Sequence, residues 1–312
     1  MEKKEQPILS LCIPTFNRAD TLRGNLEQIH KQLHTINPDE LELIVSNNCS
    51  PDNTDDVVRA YTEQGMSIVY NKNIENLGAD GNFLTIMRMA TGKYMLLLSD
   101  DDYLVDGALK DILNYLREKD YGLVYIDYLN PTEHRITEYT DVNKFICEVG
   151  RHITCISANI FRTDVIPMVE GEKYRGTLLL QVPYYLTSCV NSNVNAIINA
   201  QIIQRDIGNL PSEEKFDFIQ IFSNNYLALM ISLLEPIKKI KKSTISFFKK
   251  QMLIEYTGIK IYHTFIKTGK WRNDERWRFV WPYYKNEWFF YLYMLKCFKD
   301  SVKRKLSKIL HV

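Results

Sequence analysis

Residues 99–104, SDDDYL, place three adjacent carboxylates, Asp100, Asp101 and Asp102, directly behind the apolar run Tyr94–Leu98. Like charges packed this closely repel, and the repulsion is relieved when a divalent cation binds or a carboxylate keeps its proton. Mg2+ and Mn2+ are usually held by one or two carboxylates and completed by the phosphate oxygens of a ligand. The triplet therefore points to a metal that arrives with a phosphorylated substrate. The simpler alternative is a solvated acidic turn before a helix beginning at 105, where negative charge also suits the helix dipole. Three further polar segments, IPTFNRAD (13–20), VSNNCSPDNT (45–54) and NKNIENLGADGN (71–82), each close a short apolar run in the same manner. Taken singly, each is only a turn.

The elements that must position these segments follow from periodicity. ILSLCI (8–13), LELIVS (41–46), SIVYN (67–71), KYMLLLS (93–99) and YGLVYIDYL (121–129) read as strands. Between them, Leu22, Leu26, Ile29 and Leu33 share one helix face, and DDVVRAYTEQ, NFLTIMRMA and VDGALKDILNYLREK are further helices. Asp52 or Thr54 is placed to cap the second helix. Strands alternating with helices imply βαβ units, hence an α/β domain with a mostly parallel sheet and flanking helices. In such sheets ligands bind beyond the carboxyl ends of the strands, which is where the polar segments and the aspartates gather. Beyond Asn130 the alternation weakens, with TLLLQVPYYLTSC a helix started or interrupted at Pro183, and from Ser212 the chain reads as helical.

A composition of 45% hydrophobic and 25% charged residues is that of a globular protein, but the net charge of +1 conceals an asymmetry. Lys238–Val312 holds 19 basic against 5 acidic residues, leaving 20 against 33 before it. The six cysteines lack a CxxC pair and the six histidines show no ligand spacing, so neither a zinc site nor a disulfide framework is indicated. The N-terminus lacks a signal peptide's apolar segment, and no run approaches the roughly 18 to 20 apolar residues that span a bilayer. A cytoplasmic protein is expected.

The order LSLCIPTFNR, LELIVSNNCSPDNT, NIENLGADGNF, ATGKYMLLLSDDDYL resembles the GT-A glycosyltransferases of family 2 over about residues 8–128. The resemblance implies a nucleotide-diphospho-sugar transferase fold. Residues 1–211 would be the catalytic domain (1–130 the nucleotide-sugar half, 131–211 the acceptor half), and 212–312 a helical, basic and aromatic C-terminal region. It puts Pro14, Thr15, Phe16 and Arg18 beside base and ribose, and Asn47 where the family reads the base with an aspartate. An amide offers a pyrimidine edge both a donor and an acceptor, which puts the nucleotide's identity in doubt. Asn76, Gly78, Asp80 and Asn82 match the loop beside donor sugar and diphosphate. Asp102 is the implied Mn2+ or Mg2+ ligand with Asp100 as the alternative; Asp100 and Asp101 also contact the donor, and Asp101 is in addition a catalytic candidate, the remaining carboxylate touching sugar hydroxyls or the metal's water shell. An inverting enzyme needs a carboxylate base. The family's acidic pair is not found here, and Glu172 leads over Glu170, Asp127 and Asp164 as its substitute.

The reading is a metal-dependent, inverting transferase acting on a glycan acceptor, lipid-linked at a cytoplasmic membrane face. The alternatives are transfer directly to a polyprenyl phosphate, or a catalytically silent binding protein suggested by Asn47 and the missing base. The tail, with WRNDERWRFVWPYYKNEWFFYLYML ahead of FKDSVKRKLSKILHV, suits an anionic membrane surface or else a helical subdomain that buries its aromatics and solvates its lysines. Nucleic acid is not expected, because no recognition motif accompanies the charge.

Overall fold

The structure is a computed structural model that describes residues 5–128, 135–205, 219–258 and 277–310. The chain divides into two units, Met1–Phe145 with His152–Leu210, and Ile146–Arg151 with Pro211–Val312. A boundary near 212 lies outside the described residues.

In the first unit, strand β1 (Leu9–Thr15) is buried at every position. Only a strand paired on both edges and covered on both faces tolerates such a run. It lies between β2 (Leu41–Asn47) and β4 (Tyr94–Leu97), parallel to both, and β3 (Ile68–Lys72) pairs with β2 at the edge, where its side chains are partly exposed. With β6 (Leu123–Ile126), β7 (Arg135–Tyr139), β8 (Asn159–Arg162) and β9 (Asn195–Asn199), the eight-stranded order is β3-β2-β1-β4-β8-β6-β9-β7. β8 and β7 run antiparallel to their neighbours and the rest are parallel. Short β5 (Asp102–Leu104) pairs antiparallel with β10 (Ile203–Arg205) in a separate ribbon.

Helices α1 (Ala19–Leu33), α2 (Thr54–Glu63), α3 (Gly78–Met89), α4 (Ala108–Glu118) and α6 (Val182–Val190) belong to this unit, and α5 (Val142–Val149) passes from it into the second at Ile146. Leu109, Ile112, Leu113 and Leu116 of α4 show the i, i+3, i+4, i+7 spacing of a core-facing stripe, and all are buried. Because the chain runs outward from β1 through β2 to β3 and then returns to β4 beside β1, the strand order reverses between β1 and β4. That reversal opens a crevice at their carboxyl ends.

The second unit is helical: α7 (Leu227–Leu234) follows a π-helical stretch Ile219–Tyr226, α8 (Lys242–Met252) runs into a second one, Leu253–Thr257, and α9 (Trp277–Tyr284) precedes α10 (Trp288–Leu310). Its core is aromatic, with Tyr284 and Phe290 stacked at 5.5 Å between ring centroids. No helix among the described residues is long and apolar enough to cross a membrane. All six cysteines are free thiols.

Candidate active site

Thr15 ends β1 and Asp100 lies three residues beyond β4, and the two meet across the crevice: the Thr15 hydroxyl donates to Asp100 Oδ2 at 2.7 Å. Arg18 Nη1 lies 2.9 Å from Asp100 Oδ1 and 2.9 Å from Asp101 Oδ2, so one guanidinium bridges two of the three carboxylates. Ser99 also donates to Asp101. Burial pushes the Asp100 carboxyl above the usual range, and the Thr15 and Arg18 hydrogen bonds and the Arg18 charge reduce that rise without cancelling it.

These residues form one wall of a cavity of about 420 Å3. Pro14, Thr15, Phe16, Arg18, Asn76, Gly78, Asn82 and Asp100 line it, joined by Asn48, Ala79, Phe83, Ser99 and Ile156. Phe16 is 42% exposed and so is not core packing. Gly78 has φ +71° with open space around a would-be Cβ, so its need for glycine comes from the left-handed backbone and not from crowding.

Asn47, Asp80, Asp101, Asp102 and Glu172, to which the resemblance assigns site roles, do not line this cavity, nor do Glu170, Asp127 and Asp164. Asn47 is fully buried, its amide donating to Asp55 Oδ1 (2.9 Å) and the Tyr70 hydroxyl (2.8 Å) while its oxygen accepts the Ser50 N–H (2.8 Å). With both amide hydrogens and the oxygen engaged inside the protein, it does not present a base-reading edge to the cavity. Asp80 accepts the Gly176 N–H at 2.7 Å and so pins the 176–178 loop to α3. Asp101 is turned toward Arg18 and Ser99. Asp102 is the buried first residue of β5. Glu172 is exposed and paired with Arg88 (3.0 Å) and Arg175 (2.5 Å), which hold its carboxyl below the usual range. A carboxylate stabilised in that way, away from the cavity, is poorly suited to take a proton there. Glu172→Gln is accordingly expected to leave donor binding and sugar transfer within about twofold of wild type, measured side by side, since exposed ion pairs contribute little.

Asp52 proves to be a cap: its Oδ2 accepts the Ala19 N–H at 2.8 Å at the start of α1, and its Oδ1 accepts the Thr54 N–H at 3.2 Å at the start of α2. Burial opposes its charge, but the bonds from Thr54 and Ala19 win and hold it below the usual range.

Other positioning residues escape sequence reading. Asn25 sits on the core-facing side of α1 and donates to the Ser99 carbonyl (3.1 Å) and the Asp102 carbonyl (2.7 Å), holding both ends of the aspartate loop. The Ser157 hydroxyl accepts the Ser99 N–H at 3.0 Å. Asn48 accepts from the Leu77 N–H (2.9 Å) and donates to Asn76 Oδ1 (2.8 Å) and the Gly78 carbonyl (3.1 Å), so it shapes the loop entering α3. A buried Asn within an apolar stripe is the signal that could have exposed Asn25. Asn25→Ala removes a donor from the buried Asp102 carbonyl and leaves the Ser99 carbonyl with the Asp102 N–H alone (3.1 Å), and a loss of ~1–3 kcal/mol in chemical denaturation is expected.

A divalent metal fits the donor chemistry of this wall. Among the described residues, no group of three metal-ligating side chains surrounds a common point. Mg2+ or Mn2+ needs only one or two carboxylates when a diphosphate supplies the rest, and Asp100 offers hard oxygens at the cavity wall.

Residues 10–148 match the family model described as glycosyl transferase family 2. Abequosyltransferase RfbV of Salmonella typhimurium is 31% identical over 149 residues, 45% of this chain and 44% of that protein. The GalNAc(5)-diNAcBac-PP-undecaprenol β-1,3-glucosyltransferase of Campylobacter jejuni is 34% identical over 114 residues, 36% of this chain and 35% of its own length. The chain thus spans less than half the length of these two relatives. Among solved structures, Staphylococcus aureus TarS 1–349 in complex with UDP-GlcNAc superposes with TM-score 0.66 at 15% identity, covering 85% of this chain and 78% of that one. The mannosyltransferase PcManGT of Pyrobaculum calidifontis, in complex with GDP-Man and Mn2+, gives TM-score 0.55 at 15% identity over 96% of this chain and 88% of its own. Residues 10–148 thus match glycosyltransferase family 2 by sequence, and the fold over most of the chain is the GT-A fold of these solved structures.

Proposed function

We propose that this protein transfers a sugar from a nucleotide-diphosphate donor, held in the cavity above β1 and β4, to a hydroxyl of a lipid-linked glycan, with a divalent cation and with inversion at the anomeric carbon. The observation that carries the reading is the convergence of three separated segments, the end of β1 with 16–18, the 76–77 loop with the start of α3, and residues 99–100, on a single cavity whose wall joins Thr15, Arg18 and Asp100. Asp100 would hold the cation, with Asp101 and Asp102 adjoining. Bound there with the donor, such an ion supplies neutralisation of the charge that gathers on the departing diphosphate. Thr15 and Arg18 fix the Asp100 carboxylate in place. Arg18, held at the cavity wall by the aspartates, adds a permanent positive charge beside a diphosphate bound there. The exposed ring of Phe16 at the cavity offers a face on which a base stacks. Support for a lipid-linked acceptor comes from the names of the Campylobacter relative and of Escherichia coli WfaP, a UDP-Glc:α-D-GlcNAc-diphosphoundecaprenol β-1,3-glucosyltransferase that is 23% identical over 175 residues, 54% of this chain and 67% of its own length.

The test is calorimetric binding of UDP-, GDP-, CDP- and dTDP-sugars with and without Mn2+, followed by transfer to polyprenyl-diphosphate-linked saccharides and to plain polyprenyl phosphate. One donor is expected to bind in a Mn2+-dependent manner and to be consumed only with the saccharide acceptors. Transfer to polyprenyl phosphate alone would replace the acceptor assignment, and a donor bound but never consumed would replace the enzyme with a binding protein.

A further inference from the structure

Helix α10 carries two apolar faces. Phe289, Phe290 and Cys297 are buried, with Phe290 against Tyr284. Trp288, Tyr291, Leu292, Leu295, Phe298 and Val302 are instead exposed, by 40% to 66% of each residue's surface. At 100° per residue these six fall on one stripe, about 21 Å long at 1.5 Å of rise per residue. Folded proteins rarely leave a contiguous apolar patch of that extent facing water without a use for it.

The charges around the stripe are not neutral with respect to its partner. Lys299 is exposed within the stripe, between Trp288 and Leu292, and Lys296 and Lys303 are exposed along the margin beside Leu292, while the helix's acidic residue, Asp300, falls on the far side from the stripe's centre. Lys250 Nζ lies 5.9 Å from the centre of the Trp288 ring, adding another cation beside the aromatic end. A large apolar protein groove would cover the rings but leave the lysines unmatched. Two copies packed through this face would gather their lysine margins together. An anionic lipid surface satisfies both parts at once, because rings and aliphatic side chains settle at the headgroup boundary while the ammonium groups meet lipid phosphates.

We propose that the Trp288–Val302 face of α10 is a docking surface for an anionic membrane leaflet. For its biological sense this rests on the lipid-linked acceptor proposed above, and vesicles that contain no acceptor keep the two separable. The experiment is flotation of the full chain with vesicles of neutral phosphatidylcholine, or with about 30% phosphatidylglycerol, at low and physiological salt. Two variants accompany it: Trp288→Ser/Leu295→Ser/Phe298→Ser, and Lys296→Glu/Lys299→Glu/Lys303→Glu. Both sets lie on the exposed surface, so thermal melts like those of wild type are expected. Wild type should float with the anionic vesicles and much less with the neutral ones. The lysine variant should lose this preference, with at least about tenfold weaker partition onto anionic vesicles at low salt. The apolar variant should lose the binding that survives physiological salt. Wild type remaining with the soluble fraction at low salt overturns the proposal. So does a stable wild-type dimer, seen by analytical ultracentrifugation, that the apolar variant splits and the vesicles leave intact, since a second copy would then own the stripe. Donor binding measured on the same samples reports on the catalytic reading separately.

Discussion

Asp100→Asn should reduce sugar transfer by about a thousandfold, the several kcal/mol of charge stabilisation that a correctly held cation supplies at ~1.4 kcal/mol per decade, while the fold survives. The reason is position: among the residues lining the cavity Asp100 carries the carboxylate, and it is held from two sides by Thr15 and Arg18. An asparagine keeps the Thr15 hydrogen bond through its own oxygen but offers neither the charge nor the second hard oxygen. Arg18 retains Asp101 as a partner. The check is single-turnover transfer with Mn2+, beside Asp102→Asn as the substitution that the sequence favoured. Wild-type rates for Asp100→Asn would remove Asp100 from the site. A much larger loss at Asp102 than at Asp100 would restore the sequence's choice of ligand.

The same variant carries a stability signature with a defined sign. Burial raises the Asp100 carboxyl above its unfolded value, so between those two values the native state binds the proton more tightly. Wild-type stability therefore falls as pH rises through that window, and the cost of the buried charge persists at neutral pH. Asp100→Asn lacks this cost, and its thermal midpoint at pH 7 is expected to equal or exceed that of wild type. Donor binding follows the opposite course in the wild type, weakening as pH falls and Asp100 takes up its proton. A site that costs stability when empty and recovers it on binding is the usual compromise of a functional centre.

The half of the molecule that carries this site was legible for a physical reason. Buried parallel strands such as Leu9–Thr15 are continuous apolar runs, and helices such as α4 show a sharp apolar stripe, so both announce themselves. β5 and β10, with three residues each, and the half-exposed edge strand β7 do not, because their pairing depends on distant partners and not on local pattern. At the site the loops were legible and the side-chain directions were not. Asn47 and Asn48 are neighbours in one polar run, yet Asn47 turns into the protein toward Asp55 while Asn48 lines the cavity. Asp52 and Thr54 read equally well as the cap of α2, and the Thr54 and Ala19 N–H groups decide for Asp52. Glu172 read as the substitute base, but Arg175, three residues on, and Arg88, far from it in sequence, claim its carboxylate. The tail's charge was visible from composition, whereas the division of its aromatics into a buried set and an exposed stripe required the helix packing.

Asn47→Asp, which restores the carboxylate that the family pattern carries, is expected to destabilise this protein by ~2–4 kcal/mol at pH 7.5. The amide of Asn47 donates to Asp55 and Tyr70 from a fully buried position, and Tyr70 and Lys72 also donate to Asp55. An aspartate at 47 turns an amide donor into a second carboxylate facing Asp55 and removes a hydrogen-bond donor from an otherwise satisfied cluster. Repulsion and burial together raise the pKa of the new carboxyl, so the native variant holds that proton more tightly than the unfolded chain does. Its destabilisation is therefore greatest above the raised pKa and shrinks as pH falls through it. In wild type the pKa of Asp55 moves the other way, held down chiefly by its hydrogen bond from Lys72 and then by that from Tyr70, and this stability is present at neutral pH and lost on acidification. The gap between wild-type and variant melting temperatures should thus be about 5–10 °C at pH 7.5 and should narrow measurably by about pH 5. If the gap is the same at both pH values, the two carboxylates do not interact and the buried geometry of Asn47 is wrong. If the variant is instead as stable as wild type and binds a different nucleotide, position 47 faces the donor after all, and the base-reading role implied by the resemblance returns.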